Sequence, residues 1–112
     1  MKWTVFTLAF AALLAPAPAA AQAAMSFNHF VTDDLPHAQC MAKARTTMRK
    51  ARLSLLTPTS EAVWGETSDR NKLAAIYCLK TRDVAVVTVA GKRTSETRPI
   101  LDRLMSAWRG ND

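Results

Sequence analysis

The sequence has few of the residues on which catalytic and cofactor sites depend. Its 112 residues include two histidines, two cysteines and three glycines. No Gly-x-Ser-x-Gly turn, glycine-rich phosphate loop or CxxC pair occurs. Internal repeats, low-complexity tracts and coiled-coil heptads are absent as well. These absences argue against the common hydrolase, nucleotide-binding and thiol-redox classes, and they predict a protein that is not an enzyme and uses no cofactor.

Long hydrophobic runs are also scarce, and the most apolar one lies at the N-terminus. Lys2 precedes the apolar run Trp3 to Leu14, which as a helix reaches about 18 Å, short of the roughly 30 Å hydrocarbon core of a membrane. Ala21-Gln22-Ala23 then places small residues where a signal peptidase requires them. The sequence therefore predicts a cleavable signal peptide over 1–23 and a mature start at Ala24.

The expected product of cleavage is one small domain over residues 24–112, too short for a multidomain enzyme. A cut within Ala19 to Ala21 is the alternative. No later stretch has the roughly 20 apolar residues of a transmembrane helix. No cysteine directly follows the cleavage site to receive a lipid. We therefore expect a soluble periplasmic or secreted protein, most simply in a Gram-negative periplasm.

The two cysteines, Cys40 and Cys78, are expected to form one disulfide. An even cysteine count in an exported chain usually means a bridge, because the compartment is oxidising. A redox or metal-binding thiol pair is the alternative, which adjacent CxxC spacing would support. The wide separation of Cys40 and Cys78 favours a structural bridge instead.

Apolar periodicity predicts secondary-structure elements in the order β-α-β-β-β-α. The strands are expected over 26–32, 61–67, 72–80 and 83–90, and the helices over about 35–53 and from 94–97 up to Gly110. The last three strands have connections too short for crossovers, so the three- to four-stranded sheet should be mostly antiparallel. Each helix has one apolar stripe to bury. The fold class predicted is an α+β two-layer sandwich with two helices covering one sheet face.

Local signals refine these elements. Asp33 or Asp34 is expected to cap the first helix, with Pro36 in its first turn. Gly65 indicates either a bulge or a close approach of another element, and Gly110 should stand just past the last helix. Most aromatic side chains are expected in the core, above all Trp108, which has helical spacing with other apolar residues.

The predicted disulfide assigns the two faces of the sheet. Cys78 must reach Cys40 on the helix, so the face shared by Ala74, Ile76 and Cys78 should be the covered one. The opposite face then contains Ala75, Tyr77 and Leu79. This candidate interaction face is partly apolar, as is typical of a dimer or partner site. The alternative is the ordinary apolar exposure of a small domain.

A resemblance supports this architecture. Cys40 in a helix, Trp64-Gly65 in a strand, Ile76-Tyr77-Cys78 in the next strand and Val86 to Gly91 in the third precede an amphipathic final helix. In this pattern the chain resembles a family of small exported bacterial proteins without an assigned function. The resemblance covers most of the chain after residue 23. It implies a compact α/β fold with a helix-to-sheet disulfide, and it implies no catalytic residue.

The first helix is predicted to be strongly basic. No acidic residue occurs from Leu35 through Ser60, whereas five basic residues do: Lys43, Arg45, Arg49, Lys50 and Arg52. They form a candidate anion-binding surface for lipopolysaccharide phosphates, anionic lipid headgroups or an acidic protein. Nucleic acid is not expected as a partner, because export separates the protein from it. In addition, no aromatic residues that could stack on bases alternate with the basic ones. The alternative is a solvent-exposed helix face with no ligand, on which the cations near the C-terminal end interact favourably with the helix dipole.

A metal site is a remote alternative. His29, Asp33, Asp34 and His37 crowd the junction of the first strand and helix, and imidazole with carboxylate suits zinc or copper. Their spacing matches no known site. Taken together, the sequence predicts a small exported, disulfide-bonded binding protein whose partner is another protein or a second copy. Association with an anionic envelope surface ranks second, and a small metal-dependent activity third.

Overall fold

The computed structural model describes residues 23–110, which form five strands and two helices. Met1 to Gln22, and with them most of the predicted signal peptide, lie outside the described residues. The strands are β1 (Ala24–Val31), β2 (Ser54–Leu55), β3 (Ala62–Glu66), β4 (Leu73–Cys78) and β5 (Val84–Gly91), and the helices are α1 (His37–Lys50) and α2 (Thr94–Trp108).

The strands form one antiparallel sheet in the order β1-β5-β4-β3-β2. Strands β2 to β5 pair with their neighbours in sequence, as their short connections require. β1 instead pairs along its whole length with β5, from Ala24 opposite Gly91 to Val31 opposite Val84. The sheet therefore has one long edge, β1, and one short edge, β2.

Both helices pack on one face of this sheet, which confirms the predicted α+β class and two-layer arrangement. The core joins inward side chains of the strands, such as Val63, Ile76 and Val87, to the apolar stripes of α1 and α2. Alternation along β5 buries every second residue and places Ala85, Val87 and Val89 inside. The other face of the sheet has no helix over it among residues 23–110.

Helix α1 ends earlier than predicted, and a fifth strand follows it. Arg52 has a positive φ of 67°, and the Leu53 N–H donates to the Met48 carbonyl, which closes the helix in a Schellman motif. Leu53 is thereby buried, and the chain reverses to pair Ser54–Leu55 with β3. The expected run to about residue 53 was wrong because apolar spacing continues past the point where the backbone turns.

The start of α1 also differs from the prediction. Pro36 is the N-cap residue and no side chain caps the helix, so neither Asp33 nor Asp34 is the cap. Both aspartates have positive φ, 46° and 64°, in a turn that the Leu35 N–H closes on the Thr32 carbonyl. Aspartate tolerates this left-handed conformation. These residues therefore reverse the chain direction between β1 and α1.

Two predictions about glycines are resolved. The β3–β4 register is continuous, so Gly65 is not a bulge. A Cβ there would lie 2.9 Å from Met48 Sδ and 3.2 Å from Leu53 Cβ, which identifies a close approach of the end of α1 to β3. Gly110 has a φ of 87°, and its N–H donates to the Ala107 carbonyl, as predicted for the residue after a helix.

Candidate functional site

The disulfide between Cys40 and Cys78 joins α1 to β4 as predicted, with a Cα–Cα distance of 6.1 Å. Both cysteines are buried, at 3% and 1% exposure. Thiol exchange requires an accessible sulfur. Because neither cysteine is accessible, the bridge acts as a structural link between the helix layer and the sheet.

The face of the sheet opposite the helices is uncovered among the described residues, and several of its exposed side chains are apolar. We call it the open face and define it by the outward residues of β1, β3, β4 and β5 and those next to them: Met25, Phe27, His29, Val31, Ala62, Trp64, Glu66, Leu73, Ala75, Tyr77, Leu79, Val84, Val86, Thr88 and Ala90. Few of these side chains carry charge. The open face can therefore bury apolar area against a partner without first removing charges from water.

The three residues predicted for the interaction face differ in exposure. Tyr77 is half-buried and makes an edge-to-face contact with Trp64, with ring centroids 5.7 Å apart. Leu79 is exposed. Ala75 points outward from the sheet but is only 1% exposed, because its small side chain lies between the larger Trp64 and Thr88 on neighbouring strands. The register confirms that these residues point away from the helices, and Ala75 is too buried to offer contact area, while binding through this face stays a prediction.

Strand β1 supplies an exposed part of the open face that sequence reasoning missed. Met25, Phe27 and Val31 are 65%, 71% and 61% exposed. The expectation that most aromatic side chains lie in the core was wrong: Phe30 and Trp108 are in the core, whereas Phe27, Trp64 and Tyr77 point to the open face. The signal was present in the alternation along β1. What it did not reveal is that no other element among residues 23–110 covers the outward side.

The predicted basic residues of α1 lie on the helix layer, on the side of the molecule opposite the open face. Lys43, Arg49, Lys50 and Arg52 are exposed, and Arg45 is half-buried. Helix α2 packs beside α1 and contains two exposed arginines, Arg98 and Arg103, and Arg109 follows it directly. The same helix contains two acidic residues, Glu96 and Asp102. This segment therefore adds three cations to the helix layer but a net charge of only +1.

Lys43 also contacts an aromatic side chain of the core. Lys43 Nζ lies 4.5 Å from the ring centroid of Trp108, and the other side of the stack is Phe30, whose ring is 4.3 Å from that of Trp108 and nearly parallel to it. The contact connects α1, α2 and β1. It confirms that Trp108 packs in the core, and it gives Lys43 a cation–π role in addition to its charge.

The candidate metal ligands do not assemble. His29 is on the open face, where it pairs with Val86. His37 Nε2 lies 2.9 Å from the Ser60 carbonyl oxygen, and its Nδ1 is buried without a hydrogen-bond partner. Within residues 23–110 no group of three histidine, cysteine, aspartate or glutamate side chains is placed to hold a metal ion. The sequence proximity of His29, Asp33, Asp34 and His37 therefore does not produce a common site.

A cavity of about 260 Å³ lies at the end of the sheet beside the disulfide. Its lining includes both cysteines, His37 and the oppositely charged groups Arg82 and Asp83. Neither Asp34 nor Asp83 hydrogen-bonds the imidazole of His37, which has the Ser60 carbonyl as its partner. The cavity therefore lacks the carboxylate–imidazole pair of a general base.

A small charged network stabilises the turn between β3 and β4. Asp69 accepts hydrogen bonds from the Thr67 hydroxyl and the Asn71 N–H, and it pairs with Lys72 Nζ at 3.0 Å. Hydrogen bonding, first from Thr67, holds the pKa of Asp69 well below its usual range, and the bond to Asp69 raises the pKa of Lys72. Lys72 also approaches Glu96 of α2, at 3.7 Å. The network fixes the turn to the helix layer.

Comparisons with known proteins add no assignment to these surfaces. Neither a scan against protein-family models nor a search of the curated proteins finds a match to this chain. None of the helices among residues 23–110 is long and apolar enough to cross a membrane.

Proposed function

We propose that this chain is a small exported binding protein that contacts a protein partner through the open face. The observation that carries the proposal is the uncovered side of a five-stranded sheet, with apolar side chains outward on β1, β4 and β5. Soluble domains rarely leave so contiguous an apolar surface uncovered, and such surfaces are typical of interaction sites.

The distribution of charge also favours the open face as the surface that binds a protein partner. The helix layer has a large excess of cations, whereas the open face has Glu66 and His29 at its margins. A largely uncharged surface with the aromatic side chains Phe27, Trp64 and Tyr77 matches the residue types enriched at the centres of protein interfaces. The partner should therefore present an apolar, weakly charged patch.

Site-specific photocrosslinking in the producing cell tests this proposal. A photoreactive phenylalanine analogue is placed at Leu73 or Leu79, both exposed on the open face, and at Thr46, exposed on the helix layer, as the matched control. We expect a discrete crosslinked protein from the two open-face positions and none from Thr46. Equal crosslinking from Thr46, or none from either leucine, would contradict the proposal.

A second function has its own supporting observation. Arg98 and Arg103 of α2, with Arg109 directly after it, enlarge the basic surface of α1, which suits contact with the phosphates of an anionic envelope surface. Each cation near such a surface contributes about 1 kcal/mol of binding free energy. The helix layer and the open face are opposite sides of the sandwich, so the two functions are compatible.

Binding to phosphatidylglycerol vesicles tests this second function. The variant Arg49→Glu/Arg103→Glu removes helix-layer charge, and Lys80→Glu/Arg82→Glu changes the net charge equally in the β4–β5 turn. We expect the first variant to bind at least tenfold more weakly than the second, since each cation contributes about 1 kcal/mol. Salt should weaken wild-type binding. Wild-type protein that does not bind at low salt, or equal losses in both variants, would exclude this role.

A further inference from the structure

Strand β1 is an eight-residue edge strand, and its outer side pairs with no other strand in the described part of the chain. The opposite edge of the sheet, β2, has two residues and follows directly on the end of α1. A strand edge presents a row of unpaired backbone groups that pair readily with another strand. The free side of β1 is therefore the long pairing edge of the described sheet.

The register identifies which backbone groups face that edge. The Thr32 N–H donates to the Asp83 carbonyl, continuing the register in which residue 31 pairs with residue 84. Hydrogen-bonded and non-hydrogen-bonded pairs alternate in an antiparallel ladder, so even-numbered β1 residues bond to β5. The N–H and carbonyl groups of residues 25, 27, 29 and 31 point to the free edge. The His29 N–H is consistent with this assignment, because it donates to the side-chain oxygen Oδ1 of Asn28, at 2.8 Å, instead of to a carbonyl of β5.

This edge lacks most of the usual protection against pairing. Residues 24–31 contain no proline, lysine, arginine, aspartate or glutamate, and the β1–β5 register has no bulge. The same residues whose backbone faces the edge also expose Met25, Phe27 and Val31 on the open face. The Asn28 side chain covers one donor, and since it is exposed it can rotate away. Natural edges with these properties are usually covered.

The helix beside the edge indicates what covers it. A groove of about 310 Å³ runs between β1 and α2, and Arg98 and Asp102 of α2 line it together with Met25 and Phe27. These two charged residues are one helical turn apart. A two-fold axis through the edge and normal to the sheet runs the two copies of α2 in opposite directions. The Ser26–Thr97 and Phe30–Trp108 contacts put the part of α2 around Asp102 level with residue 28, so the stretch of helix beside the axis has charges of both signs, Asp102 with Arg98 one turn before it.

We propose that β1 pairs with β1 of a second copy of this chain, in antiparallel orientation about a two-fold axis at Asn28. Every free backbone group of residues 25, 27, 29 and 31 is then bonded, with Phe27 opposite His29 and Met25 opposite Val31 of the second copy. Both helix layers stay on the same side of one continuous sheet. The proposal does not depend on the open face binding another protein.

Sedimentation of the purified protein compares His29→Pro with His29→Ala. Proline removes an N–H that faces the free edge and takes no part in the β1–β5 ladder, so the fold should persist while strand pairing is blocked. We expect wild type and His29→Ala to be dimers and His29→Pro to be a monomer with an unchanged circular dichroism spectrum. A monomeric wild type at its highest soluble concentration, or equal behaviour of the two variants, would overturn the proposal.

The register is tested by Asn28→Cys. Directly opposite, non-hydrogen-bonded residues of antiparallel strands have Cα atoms about 4.5 Å apart, so residue 28 of the two copies should form an intermolecular disulfide on mild oxidation. Thr46→Cys, exposed on α1, is the control and should not crosslink. A residue-28 adduct with a different protein, and none with a second copy, would assign the edge to another occupant and overturn the proposal.

Discussion

At the scale of single residues, the chain contains a few positions whose size is set by a neighbour from another element. Gly65 is one of them, because the end of α1 approaches β3 so closely that a methyl group would meet Met48 and Leu53. Ser26 of β1 and Thr97 of α2 are a second case, in which each hydroxyl is matched to the other. The two oxygens lie 2.9 Å apart in a buried hydrogen bond. A buried hydroxyl without a partner costs free energy, so each satisfies the other.

We predict that Gly65→Ala destabilises the protein by about 1–3 kcal/mol, the usual effect of overpacking a core. Met48 is fully buried and has little room to move away from the added methyl group. Chemical denaturation measures the free energy of unfolding. Ser54→Ala, at an exposed position on the neighbouring strand, is the control and should change stability by less than about 0.5 kcal/mol. A Gly65→Ala variant as stable as wild type would show that α1 shifts freely.

At the scale of secondary structure, element type followed from sequence but element ends did not. The apolar period correctly distinguished α1 and α2 from the strands, because helices and strands bury side chains at different intervals. The end of α1 depends on Arg52 adopting a left-handed conformation, which no local preference of arginine favours. Burial of Leu53 against β3 outweighs that preference, and it also creates the short strand β2.

We predict that Arg52→Gly raises the free energy of unfolding by about 1 kcal/mol. The left-handed conformation costs a non-glycine residue about 1–2 kcal/mol, and glycine adopts it without that cost, although glycine loses more entropy on folding. Arg52→Ala retains the unfavourable conformation and is the matched control for the lost side chain, so it should not gain stability. Equal stability of the glycine and alanine variants would contradict this explanation of the helix end.

At the scale of the whole molecule, the sandwich separates charge from apolar surface. The helix layer contains most of the cations, and the uncovered side of the sheet contains the exposed apolar side chains of β1. The disulfide holds the two layers together at one end, and the Lys43–Trp108–Phe30 stack joins α1, α2 and β1. This segregation leaves both surfaces available for binding at once.

We predict that Cys40→Ala/Cys78→Ala lowers the free energy of unfolding by about 2–4 kcal/mol. The bridge closes a loop between residues separated by 38 positions, and its loss allows the unfolded chain many more conformations. Urea unfolding with and without dithiothreitol measures the effect. Reductant should destabilise wild type to about the level of the double variant and leave that variant unchanged. An equally stable double variant would mean that core packing suffices without the bridge.

The sequence by itself determined the α+β class, the Cys40–Cys78 bridge and the assignment of Ile76 and Cys78 to the covered face. These follow from local periodicity and from one covalent constraint. Only the tertiary structure decided that β1 pairs with β5, that Phe27 is uncovered, that Ala75 is hidden and that His29 and His37 stay apart. Those properties depend on strand order and on neighbours distant in the chain, and a local pattern carries no information about either.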